Sequence, residues 1–177
     1  MTLLTPLRTR GLALALAVFA IDRAVKWWLT GPMALADRGP IPVLPIYAFR
    51  YTENYGVSLG MFTATSAVMR YGLIAVTGAI AIGVLVWLLR EKVWGEICGL
   101  ALILGGALGN IWDRVGYGFV IDYADLHFNI WHWGEWRPFL IFNLADAAIT
   151  FGVLILLARS LLLREKPAKS GPSAENA

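Results

Sequence analysis

Residues 105–122 read GGALGNIWDRVGYGFVID. The stretch opens as an apolar run and closes on a carboxylate, with Asn110, Asp113 and Arg114 between. Hydrocarbon offers polar groups no partners, so such residues at the mouth of an apolar run face a protein interior or a wet cavity and mark function. Asn110 lies three residues before Asp113 and four before Arg114, so a helix end presents all three on one side. Gly105 and Gly109 have the GxxxG spacing that lets membrane helices approach closely, as do Gly95 and Gly99. A second stretch, PFLIFNLADAAITFGVLILL at 138–157, repeats the arrangement: Asn143 and Asp146 stand three apart near the start of an apolar run.

Working outward, apolar runs cover 67–89, 94–113 and 139–163, and another fills much of 1–29. The chain has 177 residues, 58% hydrophobic and 15% charged, against roughly 45–50% and 25% in an ordinary soluble domain. Four spans of about 20 residues leave little for anything else. The expected fold class is an all-α membrane protein of four transmembrane helices, with a small β-sheet segment and an interfacial loop or helix on its outer side, which the family resemblance given below makes periplasmic. Residues 1–166 form one domain in this reading, and 167–177 a disordered cytoplasmic tail.

Arg8, Arg10, Arg90, Lys92, Arg164, Lys166 and Lys169 fall at ends of apolar runs, which puts both termini in the cytoplasm by the positive-inside rule. The net charge of +3 forms no single patch, so nucleic acid is not expected as a partner. The single cysteine, Cys98, excludes an intramolecular disulfide.

The amino-terminal run resembles a signal peptide, but Asp22, Arg23 and Lys26 interrupt it before Trp27 and Trp28. It reads as an uncleaved first span with an interfacial tryptophan belt. Asp22 and Lys26, four apart, share a helix face and can pair as support for a site at that surface. Glycines and prolines punctuate 30–66, so no helix is expected there, but short strands are expected from Val43 to Met61. Within ENYGVSLG at 53–60, the amide of Asn54 suits a peptide backbone and Gly56 permits close approach, although a plain turn accounts for both. Gly72, Gly78 and Gly83 in the second span are small enough to let helices close up.

Residues 115–138 return to the outer side. Asp122, between Ile121 and Tyr123, sits where apolar neighbours raise a carboxylate pKa, and Asp125 is its rival. Trp131, Trp133 and Trp136 predict an interfacial loop or short surface helix covering the site. His127 and His132 lack a third ligand, so no metal is expected.

Asp22, Lys26, Asn54, Asn110, Arg114, Asp122, Asn143 and Asp146 then converge on one membrane face. Neighbouring carboxylates share a proton, so one can act as base on a water while the other protonates a carbonyl. A proton-coupled transporter would spread its carboxylates through the membrane depth. A scaffold built on the glycine faces would tolerate loss of Asp122 and Asp146.

The blocks DRAVK, TENYGVSLG, GGALGNIWDR, GFVIDY and FNLADAAIT, in this order, resemble the lipoprotein signal peptidase (signal peptidase II) family from Asp22 to about Phe151. The resemblance implies an aspartic endopeptidase of the bacterial inner membrane. It implies Asp122 and Asp146 as the catalytic pair at the periplasmic face, with Asn54, Gly56, Asn110, Arg114, Asn143, Asp22 and Lys26 binding substrate or supporting the site. Its implied substrates are diacylglyceryl-modified prolipoproteins, cut just before the lipidated cysteine. Membrane lipid is the other expected partner, a monomer is expected, and the family uses no metal or organic cofactor. The second block departs from the family's usual NxGAAFG at Val57, Ser58 and Leu59, and the tryptophan-rich stretch is longer than usual.

Overall fold

A computed structural model describes residues 4–56, 67–130, 134–136 and 138–162. Val57, Ser58, Leu59, Gly60, Trp131, His132, Trp133 and the tail at 167–177 lie outside it.

Helix α1 spans Pro6–Thr30. It starts where Thr5 Oγ1 accepts the Arg8 N–H at 3.4 Å and Pro6 takes the first helical position, which needs no donor. A four-residue helix, α2 (Leu35–Arg38), follows inside the segment expected to hold none. Fully buried Leu35 packs with Leu29, Tyr123 and Ala124, so tertiary burial overrides the local punctuation. Strands β1 (Ile41–Leu44) and β2 (Tyr47–Asn54) come next, then α3 (Ala67–Arg90) and α4 (Trp94–Gly116). Strand β3 (Val120–Leu126) joins β1 and β2 in an antiparallel sheet of order β1-β2-β3.

The tryptophan-rich stretch is neither loop nor helix in its described part. Strands β4 (Phe128–Ile130) and β5 (Gly134–Trp136) pair antiparallel, with Phe128 opposite Trp136 and their rings 5.9 Å apart. Aromatic and β-branched residues favour this pleated pairing over a helix. Helix α5 (Leu144–Leu162) begins five residues later than the apolar run suggests, because Phe142 first makes a bridge to Ala124 of β3.

Three of these helices are long and apolar enough to cross a membrane: Arg70–Arg90, Trp94–Gly116 and Leu144–Leu162. At about 1.5 Å per residue each covers the roughly 30 Å hydrocarbon layer. Helix α4 is central and packs against α1, α3 and α5. Its small residues set those contacts. A Cβ on Gly105 would sit 2.5 Å from the Ala15 carbonyl of α1, and one on Gly99 would sit 3.0 Å from the Gly152 carbonyl of α5. On α3 the expectation fails: Gly72, Gly78 and Gly83 have nothing within 4 Å of their missing Cβ atoms. Exposed Val76, Ile80 and Ile82 lie along the same helix, so much of α3 is open surface of the kind lipid would cover.

The sheet crosses the bundle end at which α1 and α4 terminate and α5 begins. In β3, Asp122 pairs in register with Thr52 and Asp125 with Ala48. Odd spacing turns Asp122 and Asp125 to opposite sheet faces. Buried Asp125 meets Arg50 Nε at 2.7 Å, so the rival carboxylate belongs to an ion pair within the sheet.

Candidate active site

The first turn of α5 shows how one carboxylate is placed. A helix leaves its first N–H groups without intrahelical acceptors, and here each finds a side chain. Leu144 N–H donates to Tyr123 Oη at 3.2 Å, Ala145 N–H to Asp22 Oδ1 at 3.3 Å, and Asp146 N–H to Asn143 Oδ1 at 2.9 Å. Asp146 Oδ2 in return accepts the Asn143 N–H at 3.1 Å. This reciprocal pair is a capping box with Asn and Asp in the two positions. It locks Asp146 at the helix start, where the dipole favours a negative charge.

The second carboxylate comes from the sheet. Asp122, 1% exposed, accepts Asn143 Nδ2–H on Oδ1 at 2.7 Å and Asn54 Nδ2–H on Oδ2 at 2.9 Å. Asn54 is held by its own turn, where Gly56 N–H donates to Asn54 Oδ1 at 2.8 Å. Gly56 has φ +86°, a left-handed conformation that favours glycine. Asn110 of α4 completes the link by donating to Asp146 Oδ1 at 2.7 Å and accepting from Asn143 Nδ2 at 3.2 Å. Asn143 therefore bridges both carboxylates, one through its side chain and the other through its backbone.

Arg114 lies beside this group, with Nη2 3.8 Å from where a Gly56 Cβ would stand. Its Nε has no hydrogen-bond partner among the described residues. The helix end carrying it is clamped by Arg70, whose Nε donates to the Arg114 carbonyl at 2.9 Å. Lys26 and Asp22 pair at 3.1 Å, and Lys26 also meets Asp113 at 2.6 Å. All nine residues singled out from sequence thus gather at one bundle end. Two more belong to this group: Asp113, noted in the sequence beside Asn110 and Arg114, which also accepts the Ile121 N–H at 3.2 Å, and Tyr123, which was overlooked and whose hydroxyl caps α5. Neither spacing nor composition signals Tyr123, since only the sheet register carries it to the helix.

Tyr123→Phe should leave the Leu144 N–H unpaired and lower stability by about 1–3 kcal/mol. Thermal unfolding in detergent reads this as a lower Tm.

An apolar cavity of about 510 Å³ opens beside Asp146, lined by Leu126, Phe139, Leu140, Phe142, Thr150 and Phe151 among others. A smaller one of about 300 Å³ lies beside Asp122, with Thr52, Glu53, Asn54 and Tyr55. Leu140, 77% exposed, borders both. Burial first, then the Asp146 carboxylate, push the Asp122 pKa up to about 6. Among the described residues no group of three or more His, Cys, Asp or Glu side chains could hold a metal ion.

Fold and site together define a helical membrane protein with two amide-linked carboxylates at one end of its bundle, next to an apolar cavity. Residues 14–162 match the family model for signal peptidase (SPase) II. The lipoprotein signal peptidases of Sphingopyxis alaskensis and Rhizorhabdus wittichii are each 48% identical, over 90% and 89% of both chains respectively. Two solved bacterial membrane enzyme structures share the fold at TM-score 0.71: one is 23% identical and covers 94% of this chain and 95% of its own, the other 25% identical and covers 89% and 95%. The chain belongs to the signal peptidase II family. It is accordingly a multi-pass bacterial membrane protein and a protease, aspartic-type as in this family.

Proposed function

We propose that the chain removes signal peptides from diacylglyceryl-modified prolipoproteins, cutting just before the lipidated cysteine with a water activated between Asp122 and Asp146. The observation that carries the reading is Asn143 bridging two carboxylates at the mouth of an apolar cavity.

The ionised member takes a proton from water, and the protonated member donates to the scissile carbonyl. The resulting tetrahedral carbon collapses, a proton passes to the leaving cysteine nitrogen, and the signal peptide leaves with a new carboxylate. Burial and the neighbouring Asp146 carboxylate favour a proton on Asp122, and the amides of Asn54 and Asn143 oppose them by favouring its ionised form. The Arg114 guanidinium, within the field of both carboxylates, supplies positive charge for the substrate's carbonyl or ester oxygens. The acyl chains enter the apolar cavity, and the hydrophilic mature segment leaves past Asn54.

A lipid-anchored substrate puts its scissile bond at the membrane surface, which suits a site at a bundle end. We infer that α1 supplies a fourth crossing, that both termini are cytoplasmic, that the site faces the periplasm from the inner membrane, and that the monomer is active. No metal or organic cofactor enters this scheme.

Two predictions test it. The chemistry requires one shared proton, so kcat/KM should fall as pH rises through the upper pKa of the pair, about 6 for Asp122 in the free enzyme. A pH series on a diacylglyceryl-modified peptide in detergent reads that limb. A flat profile from pH about 5 to 9 would sink the shared-proton mechanism. The companion experiment, replacement of each aspartate with a chelator control, is argued in the Discussion.

A further inference from the structure

Behind the pair lies a second group of charges that the hydrolysis does not use. Asp22 and Asp113 are fully buried and Lys26 is nearly so. Lys26 Nζ stands 3.1 Å from Asp22 Oδ2 and 2.6 Å from Asp113 Oδ2. Arg23 repeats the bridge, with Nη2 2.8 Å from Asp22 Oδ2 and Nη1 2.6 Å from Asp113 Oδ1. Two cations and two anions make a neutral cluster that joins the end of α1 to the end of α4.

Each carboxylate has one further partner, a backbone N–H. Asp113 Oδ2 accepts from Ile121, the residue before Asp122. Asp22 Oδ1 accepts from Ala145, the residue before Asp146. Gly109 makes room for the second link, because a Cβ there would lie 2.7 Å from Asp22 Oδ2.

We propose that Asp22, Arg23, Lys26 and Asp113 act as one positioning device: the two carboxylates, tied together by the two cations, hold the backbone immediately ahead of Asp122 and Asp146 and so set the spacing of the pair. The inference rests on the reading of that pair as catalytic. A neutral packing cluster would need no backbone link to either aspartate, and this one has a link to each. None of the four touches substrate. Their effect is on near-attack geometry, where displacement by about 1 Å costs about a hundredfold in rate.

The cluster also acts on the pair's proton. Lys26 lowers the Asp122 pKa. The other charges facing Asp122 are Asp146 of α5 and Arg114 of α4, with Asp113 of α4 and Asp22 and Arg23 of α1 behind them and Glu53 of β2 at the pocket rim. Removing the Lys26 charge should carry the alkaline limb to higher pH. Removing the Asp113 charge leaves the two cations in excess and should carry it lower.

The test measures kcat, KM and the pH profile of Lys26→Met, Lys26→Arg and Asp113→Asn in the full chain. Folded protein is counted by binding of a substrate analogue with a reduced scissile bond. Per folded molecule, kcat should drop by about tenfold to a hundredfold while KM stays within about twofold, and the limbs of Lys26→Met and Asp113→Asn should move in opposite directions. Lys26→Arg keeps the charge with altered reach, so it stays folded, loses kcat and leaves the limb in place. It decides the matter if the neutral variants do not fold. Parent kcat and parent limb in every folded variant would overturn the proposal and leave a cluster that only holds the fold. Asp122→Asn is run alongside: if it still cleaves, the catalytic reading itself fails, whereas its inactivity beside unaffected cluster variants removes this inference alone.

Discussion

Asp122→Asn and Asp146→Asn should each bind the lipidated peptide and cleave it at least about 10⁴-fold more slowly than the parent. Acid–base groups contribute about 10²–10⁴ each, and members of one catalytic unit are not additive, so losing either approaches losing both. The geometry sharpens the expectation. Both Asp122 oxygens accept amide hydrogens, one from Asn143 and one from Asn54. An amide at that position accepts only one of them and turns its own N–H₂ toward the other. The side chain keeps its size, so binding survives, but the shared proton and part of the alignment are lost. Single-turnover cleavage in detergent, with a binding assay on the same samples and a chelator control, makes the measurement. Asp125→Asn is the contrast: it breaks the Arg50 pair on the other sheet face and should lower stability while leaving kcat near parent. If either Asp122→Asn or Asp146→Asn turns over near the parent rate, that aspartate is not part of the chemistry.

How much of this was legible in the chain depends on the physics that places each group. Asn110, Asp113 and Asn143, Asp146 sit three apart at the mouths of apolar runs, and one helix face carries each pair whatever the tertiary fold. Their meeting could be anticipated because polar groups in hydrocarbon must find one another. Asp113 could be placed only with its neighbours Asn110 and Arg114 on one side of a helix end. Its partners are in fact Arg23 and Lys26 on another helix, which no local rule supplies. Tyr123 reaches α5 only because the sheet carries it there. The glycines divide on the same ground: a small residue in an apolar helix marks a face on which another helix can lie, not whether one does. Gly105 and Gly109 meet α1, whereas Gly72, Gly78 and Gly83 of identical local character meet nothing. The β4–β5 hairpin was misread as loop or helix because a tryptophan count signals an interface and says little about backbone shape.

A large effect at a distance from the carboxylates should come from Gly152. A Cβ there would stand 2.5 Å from the Gly99 carbonyl, 2.7 Å from Ile103 Cγ1 and 3.1 Å from the Ile103 nitrogen. Two of these atoms are helix backbone, which cannot rotate away as a side-chain end can. Gly152→Leu must therefore push α5 off α4. Overpacking of this kind costs about 1–3 kcal/mol in an adaptable core and more where backbone must move. The consequence reaches the site because its groups are divided across this contact: Asp146 rides on α5, while its partner Asn110 rides on α4 and Asp122 stands on β3, the strand that follows α4. Longer Asn110–Asp146 and Asn143–Asp122 distances should cost about a hundredfold in turnover. Gly78→Leu on α3, with open space at the same atom, should change neither Tm nor kcat. Thermal unfolding and cleavage of the two variants side by side separate a helix-spacing effect from the addition of bulk to a membrane helix. Equal, near-parent behaviour would mean that the α4–α5 approach does not set the distance between the carboxylates, and that the sheet and the cap on α5 hold them without it.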